Sequence, residues 1–143
     1  PELAAGTVAQ LGDLVHYLVV GGEDVVGELD LDDRTEAIQA HAEGQRMSVV
    51  RDFCGHGLGR VFHAPPNVLH FGRAGKGPVL EEGMFFTIEP MVNLGRPDTK
   101  VLADDWTAVT RDKSLSAQFE HSIGVTSQGF EIFTPSDRFF PDF

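Results

Sequence analysis

The sequence is short of cysteine, basic residues and long apolar runs, and each shortage argues against a class of protein. A single thiol, Cys54, cannot form an internal disulfide, which favours a reducing, cytoplasmic setting. Eleven basic residues against 22 acidic ones give a formal net charge of -11, which argues against nucleic acid or anionic membrane as a partner. Apolar stretches such as residues 14–20 are too short to span a bilayer, and no secretory signal is visible.

What is present suffices for one packed core. The chain has 143 residues, of which 41% are hydrophobic and 9% aromatic. That content supports one core and is too small for two. We therefore expect a single domain over residues 1–143.

The first half of the chain predicts a helix between two less regular regions. Residues 14–20 are typical of a strand, and Gly21 and Gly22 of a turn. Asp33 and Glu36 have the spacing of a capping box, which predicts a helix through Ala42 that ends near Gly44. Residues 47–53 predict a strand, followed by a tight glycine loop over residues 54–59 that carries His56. Pro65 and Pro66 predict a further loop.

The second half predicts strands joined by short turns. Residues 81–83 are typical of a turn, and the runs that follow are rich in β-branched and aromatic residues. These runs predict strands over residues 84–92, 106–110, 116–125 and 130–133. Consecutive strands with short connections favour an antiparallel meander.

Three side chains in these segments have metal-ligating chemistry. Glu89 and Glu120 lie in apolar strand runs that predict burial, where an ionised carboxylate without a partner costs several kcal/mol. With His56 they form a ligand set of one imidazole and two carboxylates. Two other interpretations remain open: each glutamate could instead pair with arginine or backbone amides, and His56 could be a structural or exposed loop histidine.

Several long motifs in a fixed order resemble one family. Residues 49–60, which include Cys-Gly-His-Gly-Leu-Gly around His56, are followed by Phe62-His63 and by Pro-Asn-Val-Leu-His at residues 66–70. Residues 83–90 lead into Glu89, and residues 105–107 and 111–121 lead into Glu120. Together these motifs closely resemble the type I methionine aminopeptidases.

The resemblance implies an α+β fold: a half or incomplete pita-bread fold with an antiparallel sheet and flanking helices. It also implies a central aminopeptidase-like catalytic region over residues 35–134, between a divergent N-terminal segment (1–34) and a tail (135–143). The family's divalent metals, taken as one or two ions of cobalt, manganese, iron or zinc, would be held by His56, Glu89 and Glu120.

The same resemblance implies roles for the residues around the metal. His63 would contact the scissile peptide and stabilise the tetrahedral intermediate, while Glu89 would also handle protons. Cys54, Phe62 and Trp106 match positions near or along the pocket for the methionine side chain. Ordinary core packing is the alternative for the two aromatic residues.

The N-terminal region departs from the family pattern. The family has two aspartate ligands there; Gly12-Asp13-Leu14-Val15 is similar to the start of that region, but neither aspartate motif follows. Asp24, Asp30, Asp32 and Asp33 are candidate substitutes, or else a solvated acidic face. The chain is roughly a hundred residues shorter than a whole enzyme of this class. A homodimer that covers the incomplete half is therefore expected.

Two functional hypotheses follow from different classes of protein. The first is a metal-dependent hydrolase that removes N-terminal methionine from peptides and nascent proteins. The alternative is a non-catalytic binding module, or an inactive fragment that retains the aminopeptidase fold. A proline-directed peptidase of the same fold is less favoured, because residues 54–59 and 114–118 match the methionine branch.

Overall fold

The computed structural model describes residues 31–73 and 79–135, with side chains from residue 36 onward. One helix, α1 (Leu31–Gly44), precedes a series of short strands in this part of the chain. The strands are β1 (Ser48–Val49), β2 (Gly55–Gly57), β3 (Ala64–Val68), β4 (Phe85–Ile88), β5 (Met91–Asn93), β6 (Thr99–Val101), β7 (Ala108–Thr110), β8 (Ser116–Gln118), β9 (His121–Thr126) and β10 (Gly129–Ile132).

Helix α1 covers the predicted segment but begins earlier. It starts at Leu31, so Asp33 lies within the helix rather than at its N-cap, and it ends at Gly44 as predicted. Ile38 and Ala42, which are four residues apart and therefore on one face, are both buried. That face joins a core formed with the sheets by Met47, Val49, Val68, Phe86, Ile88, Val92 and Ile123.

The strands pair antiparallel throughout the described residues, as predicted, but they do not form a simple meander. A five-stranded sheet has the order β10-β9-β4-β2-β3, a three-stranded sheet has the order β1-β5-β8, and β6 pairs with β7. Strand β4 thus pairs with β2 and β9, and β5 pairs with β1 and β8. The meander prediction was wrong because these partners are distant in the sequence.

The predicted glycine loop at residues 54–59 contains strand β2 (Gly55–Gly57), with His56 at the centre of the strand. A Cβ atom at Gly55 would lie 2.3 Å from the Thr87 carbonyl oxygen, and one at Gly57 would lie 2.2 Å from that of Pro65. The glycines therefore permit close approach of neighbouring backbones. The predicted loop at Pro65 and Pro66 is likewise part of β3, which is an edge strand and so tolerates proline.

Several predicted strands were too long. The predicted strand over residues 47–53 is reduced to β1, and that over 106–110 is reduced to β7. Strand β10 has the length of the predicted strand 130–133 but begins one residue earlier. The run 84–92 divides into β4 and β5, and 116–125 divides into β8 and β9. Both divisions have one cause, because at each of them the chain leaves one sheet for the other.

Other predictions concern residues outside the described ranges. The strand at 14–20, the turn at Gly21 and Gly22, and Asp13, Asp24 and Asp30 all lie there. The division into segments 1–34, 35–134 and 135–143 stays a prediction. No helix within the described ranges is long and apolar enough to cross a membrane.

Candidate metal centre

Two of the places where the chain changes sheets, between β4 and β5 and between β8 and β9, bring Glu89 and Glu120 opposite each other. Strands β4 and β9 end their pairing at Ile88 and His121, and β5 and β8 begin theirs at Met91 and Gln118. Continuing either ladder by one residue at a time places Glu89 across from Glu120. Two glutamates that are 31 residues apart in the sequence are thereby neighbours in the fold.

The Glu89 carboxylate is held on both oxygens. Thr87 Oγ1 donates a hydrogen bond to Oε1 at 2.7 Å, and Gln118 Nε2 donates one to Oε2 at 3.2 Å. The side chain of Glu89 is only 16% exposed. Because both bonds come from uncharged donors, the carboxylate is oriented while its negative charge stays available to a cation.

His56 presents a nitrogen lone pair to this carboxylate. Its Nδ1 lies 3.1 Å from the Gly57 carbonyl oxygen, which can only accept, so Nδ1 carries a proton and Nε2 is the nitrogen that has the lone pair in the neutral ring. Its backbone N–H donates to Thr87 Oγ1 at 3.0 Å. Thr87 therefore contacts both His56 and Glu89, and it fixes the two relative to each other.

The spacing of these two groups suits a shared cation. Nε2 of His56 lies 3.6 Å from Oε1 of Glu89, which is beyond hydrogen-bond reach. An imidazole lone pair and a carboxylate oxygen that face each other repel unless a positive charge lies between them. Ligands of one transition metal lie roughly 2.0–2.2 Å from the ion, so two of them can be separated by this distance. The pair fits a divalent metal.

Glu120 departs from the prediction of burial, since its side chain is exposed. Within residues 36–73 and 79–135, no hydrogen bond or ion pair reaches its carboxylate, and no three His, Cys, Asp or Glu side chains converge as a metal cluster. No arginine forms a salt bridge with either glutamate in these ranges. The structure thus brings His56 and Glu89 together and leaves Glu120 beside them.

Three rings form one side of the site. The His63 ring lies edge-on to that of His56 at 4.3 Å between centroids, and Phe62 contacts both histidines, at 4.7 Å from His63 and 5.4 Å from His56. Phe62 and His63 are exposed, whereas Cys54, next to β2, is half-buried with a free thiol. The His63 imidazole therefore faces solvent at the mouth of the site.

Trp106 lies apart from this ring group, in the turn between β6 and β7. It is 88% exposed, and Phe62 is 69% exposed, so core packing was the wrong alternative for both. Asp104 shapes the turn by accepting hydrogen bonds from the backbone N–H groups of Trp106 and Thr107 and from the Thr107 hydroxyl. These bonds also hold the pKa of the Asp104 carboxyl below its usual value.

Thr87, Gln118 and His70 were not singled out from the sequence. Thr87 could have been found, because it lies two residues before Glu89 on a strand and hence on the same face. His70 is 1% exposed, and its Nε2 accepts the Glu89 backbone N–H at 3.0 Å. Burial lowers the pKa of His70 to about 4, so the ring is neutral near pH 7.

The sequence profile of metallopeptidase family M24 matches residues 26–127. The chain therefore belongs to that family, and membership of it implies the use of a divalent metal.

Its relatives include methionine aminopeptidases. The methionine aminopeptidase of Rickettsia prowazekii is 62% identical over 103 residues, which cover 71% of this chain and 40% of that protein. That of Escherichia coli K12 is 50% identical, and the match covers 86% of this chain and 54% of that protein. The chain thus spans about half the length of these curated relatives.

Solved structures confirm the fold. The crystal structure of the Rickettsia prowazekii methionine aminopeptidase matches with a TM-score of 0.84 and 51% identity, covering 93% of this chain and 53% of that one. A prolidase from Thermococcus sibiricus matches with a TM-score of 0.60 at 18% identity, which supports the fold alone. The chain has an incomplete α+β pita-bread fold, as predicted.

Proposed function

We propose that this chain provides the metal-binding half of a site that removes N-terminal methionine from peptides and nascent proteins. The observation that carries the proposal is the His56 Nε2 atom held 3.6 Å from the Glu89 carboxylate. Both residues lie within the stretch that matches metallopeptidase family M24. The relatives named methionine aminopeptidase supply the expected substrate class.

His56, Glu89 and Glu120 would hold the divalent metal. Cobalt, manganese, iron and zinc all suit one imidazole and two carboxylates, and one or two ions would be bound. When bound, such an ion supplies Lewis acidity, which makes water reactive near neutral pH and polarises the peptide carbonyl.

The chain's own residues would perform the proton transfers and position the substrate. Glu89 would accept a proton at its carboxylate, which Thr87 and Gln118 keep oriented. His63, which faces solvent at the mouth, would donate a hydrogen bond to the oxygen that gains charge at the scissile carbonyl. Phe62, Cys54 and Trp106 would form the wall for the methionine side chain.

Elemental analysis of the purified protein together with a peptidase assay tests this function. After incubation with cobalt or manganese and desalting, we expect close to one equivalent of metal or more. We also expect release of methionine from a short methionyl peptide, with little release from the matched alanyl peptide. Protein that retains no metal and cleaves neither peptide would refute the proposal.

A non-catalytic binding module is the second candidate, supported by the exposure of Glu120 and the absence of a three-ligand cluster among the described residues. The close matches to methionine aminopeptidases do not favour it. It predicts no stoichiometric metal, so the same elemental analysis separates the two functions. A homodimer that covers the open side of the site, and a cytoplasmic location, also belong to the proposal.

A further inference from the structure

We propose that His70 is a positioning residue that fixes Glu89 through its backbone and thereby sets the distance between Glu89 and His56. The inference rests on the proposed metal site and adds to it a residue from the segment that follows β3. His70 follows β3 by two residues and has no place among the ligands. Its contact is with the Glu89 amide, to which its Nε2 atom lies at 3.0 Å.

The Glu89 amide needs such a partner because of where the chain changes sheets. Strand β4 ends at Ile88, which is the last residue paired with β9. The N–H of Glu89 therefore lies beyond the ladder, and Pro90, which follows it, is buried. Glu89 is partly buried, so an amide there without an acceptor would be destabilising. His70 satisfies this amide with a side chain where a strand would supply a carbonyl.

The direction of this hydrogen bond determines the state of the ring. A backbone N–H can only donate, so Nε2 of His70 carries a lone pair and the ring proton is on Nδ1. An uncharged ring orients Glu89 without neutralising its carboxylate. The negative charge is then left for the cation that His56 and Glu89 would share.

Glu89 is in this way held at three points. His70 fixes its backbone nitrogen, Thr87 fixes Oε1 and Gln118 fixes Oε2. Thr87 also binds the backbone of His56, so the positions of both proposed ligands are determined before any ion arrives. Partners of this kind typically change metal affinity or activity by about 10- to 100-fold when they are removed.

If His70 had a purely structural role, it would only fill volume in the core. Two substitutions distinguish that role from the positioning of Glu89. His70→Leu keeps an apolar side chain of moderate size but removes the acceptor. His70→Gln places an amide oxygen near the position of Nε2 and restores the acceptor. His41→Leu, in helix α1, is the matched control for the loss of one histidine.

The primary readout is cobalt binding to the full chain. It is measured by calorimetry and by the visible absorption spectrum of the bound ion. We expect the dissociation constant to rise about 10- to 100-fold in His70→Leu, with an altered cobalt spectrum. It should stay within about threefold of wild type in His70→Gln and His41→Leu. In a methionyl-peptide assay, kcat should fall in His70→Leu with a smaller change in KM.

The outcomes separate this inference from the proposed function. Folded His70→Leu protein with wild-type cobalt affinity and spectrum would overturn the positioning role alone. Wild-type protein that binds no cobalt would overturn both. If His70→Leu does not fold, NMR on wild type decides: a scalar coupling between the Glu89 amide nitrogen and an unprotonated His70 Nε2 supports the inference. A proton on Nε2 refutes it.

Discussion

The connections from β4 to β5 and from β8 to β9 each carry one glutamate between the sheets, and they differ in how far the glutamate is fixed. At the first, Glu89 is largely buried, and hydrogen bonds hold its amide and both carboxylate oxygens. At the second, Glu120 is exposed, and no bond from the described residues reaches its carboxylate. Of the two glutamates proposed as ligands, Glu89 is held in place by this chain and Glu120 is left adjustable.

The two glutamates therefore contribute to the proposed site in different ways. If His56 and Glu89 bind an ion as proposed, they would need little rearrangement, because hydrogen bonds with Thr87 and His70 already hold them. Glu120 gains its orientation only when an ion or another part of the protein supplies a partner. We therefore expect the metal affinity of the proposed site to depend more on the residues that hold Glu89 than on those around Glu120.

Substituting each glutamate by glutamine should give the largest effect. Removing either carboxylate charge should weaken cobalt binding by about 100-fold or more, since even the loss of supporting residues costs 10- to 100-fold. Cleavage of a methionyl peptide should fall to background in both variants. Calorimetry measures the first effect, and unchanged cobalt affinity and turnover in Glu120→Gln would remove Glu120 from the ligand set.

Acid should lower the free energy of unfolding of the protein by protonating His70, which holds the Glu89 amide. The pKa of His70 is lowered to about 4 in the folded protein by burial, against 6.5 when unfolded, so the unfolded chain binds more protons between these values. The free energy of unfolding of the metal-free protein should therefore fall by about 2 kcal/mol from pH 7 to pH 5. Urea titrations at the two pH values measure it. The His70→Gln variant should lack this component, and an equal decrease in that variant would contradict the assignment.

Removing the hydroxyl that joins the two ligands tests the preorganisation directly. Thr87→Val keeps the volume and branching of a buried strand residue, but it leaves the His56 amide without an acceptor and Oε1 of Glu89 without a donor. Cobalt affinity should fall about tenfold, or about 1.4 kcal/mol. Thr87→Ser, which keeps the hydroxyl, is the control. Equal affinities in the two variants would show that the hydroxyl does not position the ligands.

Trp106 should show the smallest effect, because it lies outside the fixed part of the site. With 88% of its surface exposed, Trp106→Ala should change the free energy of unfolding by less than about 0.5 kcal/mol. A pocket-wall role predicts a KM for methionyl peptides that is raised a few-fold with unchanged cobalt affinity. Steady-state kinetics measures this, and an unaltered KM would leave Trp106 without a role in substrate binding.

The antiparallel pairing, the helix and the family were predictable from the sequence, because they depend on residue types and motifs that are local in the chain. From the sequence, the glycines around His56 were interpreted as residues that permit unusual backbone angles. In the structure, Gly55 and Gly57 are needed because other strands leave no room for a Cβ atom. Sequence alone does not show which of these two properties of glycine is used.

The features that were missed depend on contacts between distant segments. Nothing in the apolar run before Pro90 marks the change of partner strand, except that proline cannot donate to a ladder. The burial of Glu120 was inferred from the apolar residues beside it in the sequence. Its actual exposure depends on which other segments pack against its side chain, and the sequence does not show these. His70 was missed because its role exists only through the Glu89 amide, which another strand brings to it.

The alignment of β4 with β9 has a consequence for folding. A slip of that ladder by one residue would turn every side chain of the slipped strand to the other face and carry Glu89 away from both His56 and Glu120. An ion that binds only the correct alignment would stabilise it by mass action over every misaligned pairing of these two strands. The cation would then act as a selector of strand register as well as a cofactor.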